Sequence, residues 1–332
     1  MRSFASLPGL RVGHAQNETA LTGCTVILCD GPSGSGAIGG IDQRGGAPGT
    51  RETDALHPMH LIEKIHAIVL AGGSAFGLEA ATGVVRYLEE RGVGFDVRVA
   101  KVPIVPAAIL FDLAVGAANV RPDAAMGYQA CLNATSDPPA EGNVGAGMGA
   151  TVGKLLGMEW AMKAGLGCSV VEVGGGLLVG AIVAVNALGD VIDPSTNRII
   201  AGVRNPIQAT DPTAPYFADS LAVLRERAGA LINNNLSTSN TVIGVVATNA
   251  ALTKEQTNKV AQMAQDGLAR TVRPAHTMFD GDTIFALSTG PIQAEVNTVG
   301  AFAAEAFAQA ILRAVRSARP VAGLPSANEA PT

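Results

Sequence analysis

The chain has 332 residues, 48% of them hydrophobic and 15% charged, with 40 glycines and a formal charge of -5. That length and apolar content allow a sizeable core, and the low charge excludes a chain that stays disordered for lack of apolar surface. No basic run leaves the electrostatic footprint of a nucleic-acid binder, and the most hydrophobic segment, residues 173–188, is shorter than the ~20 residues of a membrane span. The first residues lack an apolar stretch long enough for a signal peptide, so a soluble, cytoplasmic protein is expected.

In chain order, residues 26–28 and 67–70 are short apolar runs bounded by turn residues and read as buried strands. Leu78, Ala81, Val85 and Leu88 then recur at helical spacing, with Gly92 as the stop, and residues 95–100 resume a strand. Residues 134–150 read as a loop rich in Pro, Gly, Asn and Ala. Residues 177–185 form another strand, and Pro206, Pro212 and Pro215 keep residues 203–216 mostly irregular. Residues 217–231 are helical in pattern. Residues 233–240 are polar and turn-prone, and they run directly into the β-branched strand 241–247. Thr253-x-x-Gln256 is a capping box that opens a helix through Val260, Met263, Gly267 and Leu268. Residues 282–288 are a strand, residues 299–318 an apolar-faced helix, and residues 320–332 a tail expected to fray. Strands and helices alternate without an internal repeat or clear linker, which fits one α/β or α+β domain with helices covering a sheet.

Cys24, Cys29, Cys131 and Cys168 show no Cys-x-x-Cys spacing and no His at ligand spacing, and they read as reduced core residues. Thr241 is the most informative hydroxyl. A threonine needs a nearby base, and its own α-amine serves once the preceding bond is cut, because that amine titrates near ~7.7–8.0. Such chemistry asks for a nucleophile at a strand start behind a polar loop, which Asn240-Thr241 supplies. The dipeptide alone favours a plain β-branched residue at a strand start, where such residues are common. Asp280 and Asp282, two apart, would share a face of a strand and could orient a nucleophile; a solvated turn pair is the other reading, and no carboxylate follows at calcium-loop spacing. Lys154 could stabilise negative charge and Asn186 could donate to an oxyanion, or they could be a surface Lys and a turn-capping Asn. Gly145-x-Gly-x-Gly149 lacks the preceding strand of a dinucleotide fingerprint. His276 reads as structural, since nothing in sequence pairs it with a nucleophile.

Taken together, the ordered segments resemble the self-processing aminopeptidases of peptidase family S58, also called P1, which include L-aminopeptidase/D-esterase, β-aminopeptidases and nylon-oligomer hydrolases. The segments are residues 9–14, 22–26, 70–80, 145–154 and 184–186, followed by Asn240-Thr-Val-Ile-Gly-Val-Val-Ala-Thr248 and residues 273–286. The resemblance implies a four-layer αββα fold shared with ornithine acetyltransferases. It implies a precursor cut into an α chain of residues 1–240 and a β chain of residues 241–332, the two remaining associated. Homotetramers or larger assemblies of that unit are expected, with no cofactor, no metal, no nucleic acid and no membrane. By resemblance Thr241 is the nucleophile, Lys154 and Asn186 are supporting and oxyanion groups, and Asp280 and Asp282 hold the amine or nucleophile. The Asn-Thr site and the Asp-Gly-Asp segment look more like the nylon-oligomer hydrolases than the Gly-Ser aminopeptidases, so small peptides and linear amide oligomers are both candidate substrates. The rival reading is an acyltransferase using the same threonine.

Overall fold

Strand Thr22–Cys29 is buried along its whole length. Cys24, Val26 and Leu28 point into one core, and Ile27 and Cys29 into another. A strand covered on both faces carries a continuous apolar run rather than an alternation. A computed structural model describes residues 3–31, 34–227 and 240–331.

A five-stranded sheet runs in the order Leu10–Asn17, Thr22–Cys29, Ala67–Ala71, Ala107–Ile109, Thr50–Arg51. A six-stranded sheet runs Leu166–Gly174, Leu177–Asn186, Thr241–Ala250, Thr283–Ile292, Ala37–Gln43, Lys64–Ile65. The sheets face each other across a core that includes Ile27, Leu70, Ile182, Ile243, Val245 and Phe285. Helices α1 (Ala80–Glu89) and α2 (Ala124–Leu132) cover the outer face of the first sheet. Helices α4 (Lys254–Thr271) and α5 (Val296–Arg316) cover the outer face of the second. The layers are therefore helix, sheet, sheet, helix, which is the αββα arrangement expected.

Glycine sets the closest of these contacts. A Cβ on Gly83 would come 1.8 Å from the Ala124 carbonyl, and one on Gly127 would come 1.9 Å from that of Ala80, so α1 and α2 meet backbone to backbone. The Thr253–Gln256 capping box opens α4 as expected. The four cysteines are buried and free.

Several elements differ from the sequence reading. Residues 95–100 do not extend a sheet; they form a small hairpin, Phe95–Asp96 with Lys101–Val102, that leaves Val97 and Val99 exposed. Their β-branched side chains favour extended backbone without placing it in a core. Helix α2 and strand Leu166–Gly174 lie outside the elements expected from sequence. The helix begins at a cap, with the Asp123 carboxylate accepting from Met126 N at 2.8 Å. In the strand, Gly167, Ser169 and Glu172 interrupt the apolar run. The tail after Pro320 is seated rather than frayed: Lys163 N donates to Pro325 O at 2.8 Å, Asn328 Nδ2 donates to Arg316 O at 2.9 Å, and Ser326 is buried. Of the helix expected over residues 217–231, the described stretch is α3 (Ser220–Arg227). Residues 217–219 are not helical, Phe217 forming a bridge with Arg204 instead, and residues 228–231 and 233–239 lie outside the described residues.

Candidate active site

Strands Leu177–Asn186 and Thr241–Ala250 pair antiparallel, and their register sets Asn186 opposite Thr241. Thr241–Ala250 also runs parallel to Thr283–Ile292, and an isolated bridge puts Asn240 beside Asp280. Three strands thus bring Asn186, Asn240, Thr241, Asp280 and Asp282 to one end of the six-stranded sheet. All five are buried, as is Lys154.

The Thr241 hydroxyl donates to the carbonyl oxygen of Asn240, the residue before it. Gly281 N donates to that same oxygen at 3.0 Å. The hydroxyl therefore lies against the 240/241 peptide unit, whose oxygen already faces a backbone donor. Gly281 is needed here for space. A Cβ at that position would stand 2.9 Å from Thr241 Oγ1 and 2.9 Å from Ala47 O, both closer than real Cβ contacts come.

The two carboxylates do not share a strand face. Both precede strand Thr283–Ile292, where the two-residue strand period no longer applies: Asp280 ends a turn, its N donating to Thr277 O at 3.1 Å, and Asp282 lies between that turn and the strand. Asp280 Oδ2 accepts from Thr277 N at 2.8 Å and from Thr277 Oγ1 at 2.6 Å. Asp282 Oδ1 accepts from Val242 N at 2.8 Å, and its Oδ2 lies 3.0 Å from His276 N and 2.9 Å from His276 Nδ1. Burial, reinforced by the Asp282 charge, pushes the Asp280 carboxyl up to about 6, against the opposing Thr277 bonds and Lys154.

Lys154 Nζ donates to Asn186 O at 2.9 Å. Burial pulls its ammonium down to about 7, although the charges of Asp280 and Asp112 oppose the shift. A buried amine near neutrality can exchange a proton where a surface lysine cannot. The Asn186 side chain also bonds to two neighbouring segments: Nδ2 donates to Phe111 O at 3.1 Å, and Oδ1 accepts from Thr151 N at 3.0 Å. It locks the 111 and 151 segments beside the nucleophile.

Sequence reasoning missed two charged residues in this wall. Asp112 is buried, with Oδ1 accepting from Gly73 N and Oδ2 from Thr22 Oγ1, each at 2.7 Å; burial raises its carboxyl. Lys163 is buried and donates to Gly147 O and Ala150 O at 3.0 Å each and to Ala164 O. It thereby ties down the Gly-rich loop that follows Val144, and burial, opposed by Asp112, lowers its ammonium to about 7. A signal for both existed: each is a single charge inside an apolar run, Ile109-Leu-Phe-Asp-Leu113 and Ala161-Met-Lys-Ala164, and a charge buried that way has to find partners. His276, read as structural from sequence, stands directly on Asp282. Among the described residues, no group of three or more His, Cys, Asp or Glu side chains is placed to hold a metal ion.

The family model for peptidase family S58 matches residues 3–328. An uncharacterized aminopeptidase of Mycobacterium tuberculosis (strain ATCC 25618 / H37Rv) is 43% identical, over 98% of this chain and 97% of its own length. A 6-aminohexanoate-oligomer endohydrolase of Kocuria sp. (strain KY2) is 30% identical, over 93% of this chain and 84% of its own. Among solved structures, the L-aminopeptidase D-Ala-esterase/amidase of Ochrobactrum anthropi, described as a new variant of the Ntn hydrolase fold, superposes with a TM-score of 0.69. That match is 20% identical and covers 95% of this chain and 86% of the other, so it speaks to the fold.

Proposed function

The chain belongs to peptidase family S58 and is a hydrolase of amide bonds, and from that premise we propose that it cuts itself between Asn240 and Thr241 and then uses Thr241 as an N-terminal nucleophile. The observation that carries the reading is the Thr241 hydroxyl held on the Asn240 carbonyl, whose oxygen also receives the Gly281 N–H.

In the first step Thr241 Oγ attacks the Asn240 carbonyl carbon. The hydroxyl proton passes to Lys154, whose amine is substantially neutral near pH 7. Charge develops on the Asn240 oxygen, toward which Gly281 N–H already points. The C–N bond then breaks, the nitrogen takes back a proton, and Asn240 is left as an ester on Thr241. Water hydrolyses that ester, releasing the Asn240 carboxylate and restoring the hydroxyl beside a new α-amine. In turnover that amine takes the hydroxyl proton as Thr241 attacks a substrate amide. The leaving amine is protonated, and water clears the acyl-enzyme. Val242 N–H stays on Asp282, so the new chain end remains fixed in the sheet.

Two relatives' names frame the substrate class: short peptides entered from an amino end, or linear amide oligomers. Both need an amide carbonyl beside Thr241. The two chains of residues 1–240 and 241–332 would remain together, since strand Thr241–Ala250 is flanked on both sides, and such units would assemble into a homo-oligomer. Denaturing intact mass with N-terminal sequencing tests the reading. Two species, the smaller beginning Thr-Val-Ile-Gly, are expected; one full-length species active on amides would overturn it. Product analysis with water and with an added amine acceptor separates hydrolysis from acyl transfer.

A further inference from the structure

The terminal torsion of an aspartate is broad, so one hydrogen bond does not fix its carboxylate plane. Asp282 has to be fixed if it is to set the position of Val242, one residue after the nucleophile. Once the 240/241 bond is cut, Thr241 loses the chain that precedes it, and the Val242 N–H bond becomes the nearest remaining anchor on that side. Among the described residues, the second oxygen of Asp282 is held by His276 alone, through two donors: its backbone N at 3.0 Å and its ring Nδ1 at 2.9 Å. A carboxylate oxygen accepts, so Nδ1 is the donor to it, while Nε2 is buried and, among the described residues, without a hydrogen-bond partner. Both donors reach one oxygen because His276 has φ +57°, a left-handed conformation uncommon outside glycine but tolerated by Asn, Asp and His.

We propose that His276 is the positioning residue of this site: it pins Asp282 Oδ2 from two directions so that Oδ1 holds the Val242 N–H and, through it, keeps the Thr241 hydroxyl on its target. The inference rests on the reading of Thr241 given above. It adds a residue that touches neither substrate nor reacting atoms but decides their alignment, which catalysis requires to within a fraction of an ångström.

Three substitutions separate the ring donor from the backbone conformation. His276→Asn keeps a donor on the same γ-carbon and tolerates positive φ. His276→Gly keeps the conformation without the donor, and His276→Ala keeps neither. The measurement is the rate of 240/241 cleavage of freshly purified chains, followed by intact mass, with the Thr241→Ala chain as the folded, uncut reference for thermal unfolding. The expected order is wild type close to Asn, with Gly and Ala slower by about tenfold or more, the scale of losing a hydrogen bond to a charged group. The Gly chain should unfold within a few degrees of the reference. His276→Gly cutting at the wild-type rate would overturn the proposal, since backbone conformation would then suffice. His276→Asn as slow as His276→Gly would also overturn it, because restoring the donor would not restore alignment. A wild-type chain that never cleaves would remove the Thr241 reading first, and this inference with it.

Discussion

The paired strands Leu177–Asn186 and Thr241–Ala250 carry two kinds of neighbourhood along one ladder. In the middle, Ile182 opposite Val245 faces the core between the sheets, surrounded by other aliphatic side chains. At the end, Asn186 opposite Thr241 is just as buried but is surrounded by Lys154, Asp280 and Asp282. Burial alone therefore does not distinguish them. The middle needs volume, which many apolar residues supply, and it tolerates changes at a modest cost. The end needs particular donors and acceptors, because each buried polar group must find a partner. Depressed Lys154 and elevated Asp280 are the signature of that end, and such opposed shifts are common where proton transfer occurs.

Substitutions at the end and in the middle of the ladder should separate the requirements. The largest effect is expected from Thr241→Ala, which removes the attacking oxygen: the chain should stay full length and inactive by intact mass and amide assay, and a cleaved Ala variant would move the nucleophile elsewhere. Lys154→Met should slow self-cleavage by on the order of a hundredfold or more, the usual worth of a general base. The wild-type rate should also rise with pH through about 7, because burial lowers the Lys154 pKa and only the neutral amine accepts the hydroxyl proton. A pH–rate series on both chains checks this; an unchanged profile in the Met variant would exclude Lys154 as the acceptor. Gly281→Ala places a methyl 2.9 Å from Thr241 Oγ1. Its cleavage should slow by up to about a hundredfold, the penalty of displacing a reacting group by an ångström. The smallest effect belongs to the middle of the ladder. Ile182→Val should lower unfolding stability by about 1 kcal/mol in a urea titration and leave the cleavage rate unchanged. A cleavage defect there would mean that the two regions are not separable.

The sequence carried the fold at the level of its periods. Apolar runs located the strands that begin at Thr22, Ala67, Leu177, Thr241 and Thr283; helical spacing located α1 and α5, and a capping box with helical spacing located α4. These signals are local, since a strand or helix covered on a given face has to be apolar there. Where the local signal was weak, as in α2 and strand Leu166–Gly174, the element was missed, because tertiary packing rather than its own pattern stabilises it. The exposed 95–102 hairpin failed in the opposite sense, with β-forming residues that no core required.

What the sequence by itself determined, then, was the layered α/β architecture, the reduced cysteines and a short set of polar candidates around residue 241; the ordered motifs placed those candidates in peptidase family S58. Only the tertiary structure decided how they meet. Val242 and Asp282 are 40 residues apart and Lys154 and Asn186 are 32 apart, so no local pattern couples them. The Gly281 N–H on the Asn240 carbonyl has no sequence signature at all, because every residue except proline carries the same donor and geometry alone makes this one useful. His276 depends on a left-handed backbone that the residue type permits but does not announce, and packing of the chain around Asp282 is what puts its two donors on one oxygen.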